Sequence, residues 1–335
     1  MVRLILARLI QLPLILLVIY TATLFLAWQI PGSPLDTPEA RRPPAEVIRA
    51  MEAQYKLDSF WSFYWSYLDN ASGVRFAREY ITGDAERQLQ AARDAGRPVL
   101  QRRVFDLGPS LQYEDWRVSE IISASLPVSV AIGALAILIA TVVGVGAGVV
   151  GAAKPGSALD AATFVIALIG VSLPSFVSGT VLLLIFPVTL GWGTIGKLEG
   201  PGDLILPAIT LSLPFAAYIA RLTRMGMIEA LSADYVRTAR AKGVSPAGVL
   251  FRHALKNAGL PVLSYLGPAT ALAVTGSFVV ERLFSLPGMG QHFVNAVLNK
   301  DLFLIIGVVL VFAALLVVLN LVVDVLYRWI DPRIS

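Results

Sequence analysis

Six stretches of this chain are long and apolar enough to cross a lipid bilayer, and no other feature restricts its fold as strongly. They lie near residues 9–30, 126–152, 162–190, 204–222, 261–281 and 302–327. A helix needs about 20 mostly apolar residues to cross roughly 30 Å of hydrocarbon, where every backbone N–H and C=O must find its partner within the segment. The expectation is an all-α polytopic membrane protein with six transmembrane helices. Arg3 and Arg8 precede the first stretch as they would in a secretory leader, but its apolar run is too long and no small-residue cleavage site follows, so it reads as a retained span. Composition agrees: 56% of the 335 residues are hydrophobic and 15% charged, more apolar surface than a soluble core absorbs. No cysteine is present, which removes disulfides, iron–sulfur clusters and thiolate zinc sites, and two histidines leave little material for a metal centre.

Orientation follows from lysine and arginine in the short loops, since long loops cross the membrane largely regardless of charge. With 31–125 set aside, Arg3, Arg8, Lys154, Arg221, Arg224, Arg237, Arg240, Lys242, Arg252, Lys256, Arg328 and Arg333 fall on one side. Lys197, Arg282 and Lys300 fall on the other, so both termini are expected in the cytoplasm. The net charge of +4 is small and the basic residues gather at membrane edges, so no nucleic-acid partner is expected. No charge stands in the middle of a span, where it would cost about 2.5–3.5 kcal/mol and mark a proton relay or ion site. Arg221, Glu281 and Asp324 are placed at helix ends, as hydrated or interfacial charges. Pro127, Pro174, Pro207, Pro214 and Pro268, with glycines at 144, 146, 148, 170 and 179, read mainly as helix packing, with kinked helices around a pathway as the alternative.

The most informative segment joins the fourth and fifth stretches, MGMIEALSADYVRTARAKGVSPAGVLFRHALKNAGLP. It reads as two short helices. Ser232 is placed to cap the first, Asp234 sits in its first turn near the positive helix end, and Arg237, Arg240 and Lys242 suit its C-terminus. Gly243 supplies the stop, because glycine takes the left-handed conformation readily. Ser245 and Pro246 start a second helix running to about Ala258, with Val249, Leu250, Ala254 and Leu255 at helical spacing and Arg252, His253 and Lys256 between them. Such regularity fits either a docking element for a cytoplasmic partner or a basic hairpin held by anionic lipid.

The run DYVRTARAKGVSPAGVLFRHALKNAGLP resembles the cytoplasmic loop of binding-protein-dependent ABC permeases, in their dipeptide and oligopeptide branch. Further landmarks of that branch follow in order: IPGSPLD at 30–36, YKLDSFWSFYWSYL at 55–68, DLGPSL at 106–111, SLPVSVAIGALAILIA at 125–140, VVERLFSLPGMG at 279–290 and NLVVDVLYRWIDPRIS at 320–335. The resemblance implies a type I ABC importer transmembrane domain in the bacterial cytoplasmic (inner) membrane. Its implied partners are a second homologous permease subunit, two cytoplasmic ATP-binding subunits, an extracytoplasmic solute-binding protein and membrane lipid. The implied cargo is di- or oligopeptides, with nickel, sugar or another small solute as the alternative. The chain has no GxxxxGK(S/T) phosphate loop, so ATP and magnesium would be bound by the partner subunits, leaving this chain a transport subunit rather than an enzyme, without a cofactor of its own.

On the same resemblance, the coupling loop 223–260 engages the ATPase through Tyr235, Arg237, Ala239, Arg240, Ala241, Lys242, Gly243, Ser245, Arg252, His253 and Asn257. Many such importers carry Glu-Ala-Ala just before the loop glycine, where this chain has Arg237, Thr238 and Ala239, so no carboxylate role is carried over to that place. Glu281, Pro287, Gly288 and Gly290 of the VERLFSLPGMG segment are candidates for an extracytoplasmic gate, although proline and glycine also suffice for a plain turn.

Residues 31–125 are too long for a simple connection and are expected to carry interfacial and solvated helices on the outer side. The aromatic run Phe60, Trp61, Phe63, Tyr64, Trp65 and Tyr67 suits the membrane interface, 71–103 reads as a charged helical insertion, and Ser119–Ser125 as a short lead-in to the second span. The layout is thus an N-terminal helix (1–30), an extracytoplasmic segment (31–125) and a five-helix permease core (126–335). A secondary carrier or channel loses support from the lack of intramembrane charge. A membrane enzyme loses it because no HExxH or nucleophile elbow occurs and His253 and His292 fall on opposite sides.

Overall fold

The computed structural model describes residues 2–35, 45–84, 87, 90, 103–113, 115–193 and 196–330. Its helices are α1 (Val2–Trp28), α2 (Ala45–Tyr55), α3 (Phe60–Ala71), α4 (Val74–Thr82), α5 (Val118–Ala153), α6 (Ala158–Ser172) and α7 (Ser175–Leu183). There follow α8 (Ile205–Ser232), α9 (Asp234–Ala241), α10 (Leu255–Thr275), α11 (Phe278–Leu283), α12 (Met289–Leu298) and α13 (Leu302–Ile330). Five segments are long and apolar enough to cross a membrane, and the bent pair Ala158–Ser172 plus Ser175–Thr189 supplies a sixth if it counts as one span. About half of the charged stretch at 71–103 lies outside the described residues, as do Asp36 and 331–335; its described part includes α4, with an Arg75–Glu79 ion pair one turn apart.

Three elements differ from the sequence expectation, each for a local reason. The third stretch is broken by 104°. Pro174 bars the residue before it from the helical region, and Leu173 is accordingly extended (φ −81°, ψ 124°) between α6 and α7. The expected lead-in at Ser119–Ser125 is no separate element, because α5 is continuous from Val118. Its 36 residues span about 54 Å, more than the roughly 30 Å of hydrocarbon. The second helix of the coupling loop does not end near Ala258. A first turn at Pro246–Gly248 passes through a π-helical turn, Val249–Ala254, straight into α10, and Pro261 and Pro268 lie inside that helix without ending it.

The described chain forms two units. The first comprises Met1–Leu12, Ser125–Gln291 and Ala314–Ser335. In it α8 is the element on which α10, α6 and α7 pack. Helix α5 approaches α8 closely at Gly144 and Gly148, where a Cβ would press on the Ala216 carbonyl, Ile219 and Thr223. Small residues four apart permit such backbone contact in a membrane, so helix packing accounts for these two glycines, while Gly146 between them faces open space. Ile132, Ala136, Ala208, Leu211, Ala273, Val280, Phe284 and Leu286 form a shared core. Arg8 and Asp324 pair at 2.9 Å beside a cleft of about 520 Å³ that Ser264, Pro268, Asn320 and Val323 complete.

The second unit comprises Pro13–Ala124 and His292–Ala313. The aromatic run divides by helical periodicity: Phe63, Tyr64 and Tyr67 are buried on one face of α3, while Trp61 and Trp65 are exposed on the other. The Tyr20 hydroxyl donates to the Tyr64 carbonyl at 2.7 Å, and Phe303 sits among the rings of Tyr55, Phe63 and Tyr67. Asp301 holds the DLGPSL loop: its carboxylate accepts from the Ser110 hydroxyl (2.5 Å) and the Leu111, Gln112 and Leu304 amides. Burial pushes the Asp301 carboxyl above the usual carboxylate range, against the opposing pull of those donors.

Candidate functional site

The coupling segment is built by local stop and start signals. Helix α9 ends at Ala241, Lys242 follows, and Gly243 takes φ +77°. The Gly243 amide donates to the Arg240 carbonyl (3.0 Å) and the Val244 amide to the Ala239 carbonyl (3.2 Å), the paired bonds that close a helix over a left-handed glycine. The Ser245 hydroxyl then accepts from the Gly248 amide at 3.2 Å, with Pro246 in the first helical position. The start of α9 departs from expectation. Ser232 does not cap it; its hydroxyl donates to the Glu229 carbonyl as the last residue of α8, and Ala233 stands at the cap without a side-chain bond.

One face of α9 is fixed and the other is open. Val236 and Ala239 are buried where α9 packs on the π-helical turn and α8. Ala239 therefore seats the helix rather than facing outward. Tyr235, Arg237, Arg240, Ala241, Lys242, Gly243 and Ser245 are exposed, as are Arg252 and Asn257, with His253 half-buried. Phe251, 61% exposed beside them, was not singled out by sequence reasoning. Its signal was an aromatic set off the apolar stripe of Val249, Leu250, Ala254 and Leu255. The result is a basic ridge carrying two exposed aromatic rings, joined to α8 through Ala233 alone and continuous with α10.

The outer loop is the opposite kind of site. Glu281, expected as a hydrated or interfacial charge, is fully buried. Its carboxylate accepts from the Ser277 hydroxyl and, at 2.8 Å, from the Gly290 amide. These bonds satisfy a group that would otherwise be too costly to bury. Gly288 and Gly290 lie against it: a Cβ on Gly288 would overlap the carboxylate, and one on Gly290 would overlap Phe278. The Met289 amide donates to the Ser129 hydroxyl of α5 at 2.9 Å, pinning the loop across 160 residues of sequence. Pro287 is exposed. The structure thus brings Glu281, Gly288 and Gly290 together in one closed knot and leaves Pro287 on its surface. The coupling segment and this knot stand at opposite ends of α10, whose 21 residues extend about 30 Å.

An all-helical, multi-pass chain with an exposed basic helix–glycine–helix ridge between two spans and a pinned loop beyond the next has the build of a membrane transport subunit. Residues 140–335 match the model of the family described as binding-protein-dependent transport system inner membrane component, and the chain belongs to that family. Over 337 residues, all of this chain and 99% of the relative, it is 40% identical to the oligopeptide transport system permease protein OppB of Salmonella typhimurium. It is 39% identical over the same length to OppB of Escherichia coli K12. It is 35% identical to the dipeptide transport system permease protein DppB of Bacillus subtilis, over 96% of this chain and 94% of that one. The chain is thus a multi-pass inner-membrane permease subunit of an importer that works with separate ATPase and substrate-binding partners.

Proposed function

We propose that the chain forms half of the pathway of a peptide importer, moving di- or oligopeptides inward with both termini in the cytoplasm. A second homologous permease completes the pathway. Two ATP-binding subunits hold ATP and magnesium and dock on the ridge of α9, Gly243 and the π-helical turn. The observation that carries the docking is the exposure of Tyr235, Arg237, Arg240, Lys242 and Phe251 around a turn whose backbone is already closed by its own hydrogen bonds. A rigid ridge passes a push on to both adjoining spans as a rigid-body movement. The full-length similarity to peptide permeases supports the cargo. In this reading the knot around Glu281 closes the pathway on the outer side.

The test is uptake by the reconstituted importer, with its binding protein and ATPases, in proteoliposomes. ATP-dependent accumulation of a labelled tripeptide, undiminished by excess nickel or sugar, is the expected result. Accumulation of nickel or sugar in place of peptide would remove the cargo assignment, and uptake without ATPases would remove the importer.

A further inference from the structure

Among the described residues of the first unit, Arg224 and Asp160 make the tightest ion pair, and neither belongs to the coupling ridge or to the outer knot. Arg224 stands on α8 eight residues before its end at Ser232, and α9 begins two residues after that end, at Asp234. Asp160 lies in the first turn of α6 and is 5% exposed. Its two oxygens take both prongs of the guanidinium, Nε to Oδ1 at 2.5 Å and Nη2 to Oδ2 at 2.8 Å. The Gly156 amide donates to Oδ2 at 2.8 Å, and the Ser157 hydroxyl caps α6 by accepting from the Asp160 amide. Gly151 of α5 leaves room for the cluster, since a Cβ there would stand 2.9 Å from the Thr163 hydroxyl and 3.1 Å from Asp160 Oδ1. One carboxylate therefore ties the α5–α6 turn and the start of α6 to the helix that leads into the coupling ridge.

We propose that the Asp160–Arg224 pair is a positioning strut that carries displacement of α9 to the broken helix α6–α7, a role that rests on the docking reading above. Apolar helix contacts can slide, whereas a two-pronged guanidinium–carboxylate pair fixes angle as well as distance. The far end of α6 is the break at Leu173–Pro174. A push arriving through Arg224 turns α6 against α7 at that break instead of dissipating along a continuous span.

The chain has no cysteine, so Ala162→Cys on α6 and Asp234→Cys at the start of α9 are its only two labelling sites, and the partner subunits are supplied cysteine-free. The experiment uses the assembled importer in nanodiscs, without nucleotide and trapped with ATP, and reads the α6–α9 spin-label distance. It also reads ATP hydrolysed per peptide imported, and photo-crosslinking from position 241 to the ATPase. In the otherwise unaltered importer the distance should stay narrow and equal in the two states. In Asp160→Asn it should broaden and differ between them, with ATP consumed per peptide rising about threefold or more, and the exchange Asp160→Arg with Arg224→Asp should restore both. Arg224→Lys keeps the charge with one prong and carries the same expectation should Asp160→Asn fail to assemble. A crosslinked importer whose variants keep the narrow distance and the ATP ratio overturns the strut alone. Absence of the crosslink in the unaltered chain overturns the docking reading and the strut with it.

Discussion

Gly243 and Gly288 are glycines for unrelated reasons, and the contrast separates the two ends of the permease core. Gly243 takes φ +77° with nothing near the place a Cβ would occupy. The backbone there demands glycine and the surroundings do not, as suits a surface kept clear for another molecule. At Gly288 the demand comes from packing, because the Glu281 carboxylate fills the space. The ridge is prepared to be covered, while the knot is complete within the chain. Mutations at the first should spare folding and damage coupling; mutations at the second should damage folding first.

The largest effect should come from Gly288→Ala, whose methyl cannot share the buried space of Glu281; a loss of about 3 kcal/mol or more is expected. Fluorescence-detected size-exclusion chromatography should show little monodisperse protein, and adding Glu281→Ala should recover part of it. Glu281→Ala alone leaves the Gly290 amide and Ser277 hydroxyl buried without their acceptor, a cost of about 1–3 kcal/mol. Its melting temperature in detergent should fall, and Glu281→Gln should fall less. Gly243→Ala meets only the backbone penalty of the left-handed region, about 1–2 kcal/mol. It should purify at near-normal yield and still lose most ATP-dependent uptake, and normal uptake would break the contrast. Smallest is removal of the exposed Asp234–Arg237 pair, 3.4 Å apart: Asp234→Ala should change stability by no more than about 0.5 kcal/mol, within the error of a thermal unfolding curve.

The same contrast explains what could be read from the chain in advance. The apolar runs, the Gly243 stop and the Ser245–Pro246 start depend on neighbours within a few residues, and they stand where the sequence placed them. The break at Leu173 was half legible: Pro174 was visible as a kink candidate, but the 104° turn depends on how α6 and α7 each pack against α8. The burial of Glu281 was illegible, because it depends on Gly288 and Gly290 folding back over it and on Ser129, far off on α5, holding the loop. The Asp160–Arg224 pair joins residues 64 positions apart, and only the short-range cap from Ser157 to Asp160 hinted at a structured turn. Ser232 misled because Ala233 carries the chain from α8 to α9 with no side-chain cap, so the polar residue nearest the boundary belongs to the helix before it.

Whether this chain works as one permease subunit driven by ATPases seated on the α9–Gly243 ridge can be read from purification of the tagged chain in mild detergent. Copurifying chains would be identified and counted by mass spectrometry, for the unaltered protein and for Gly243→Trp. A second multi-span subunit and two ATPase chains should copurify with the unaltered protein, and the ATPases alone should be lost from Gly243→Trp. A lone, stable chain that transports without partners would contradict that role.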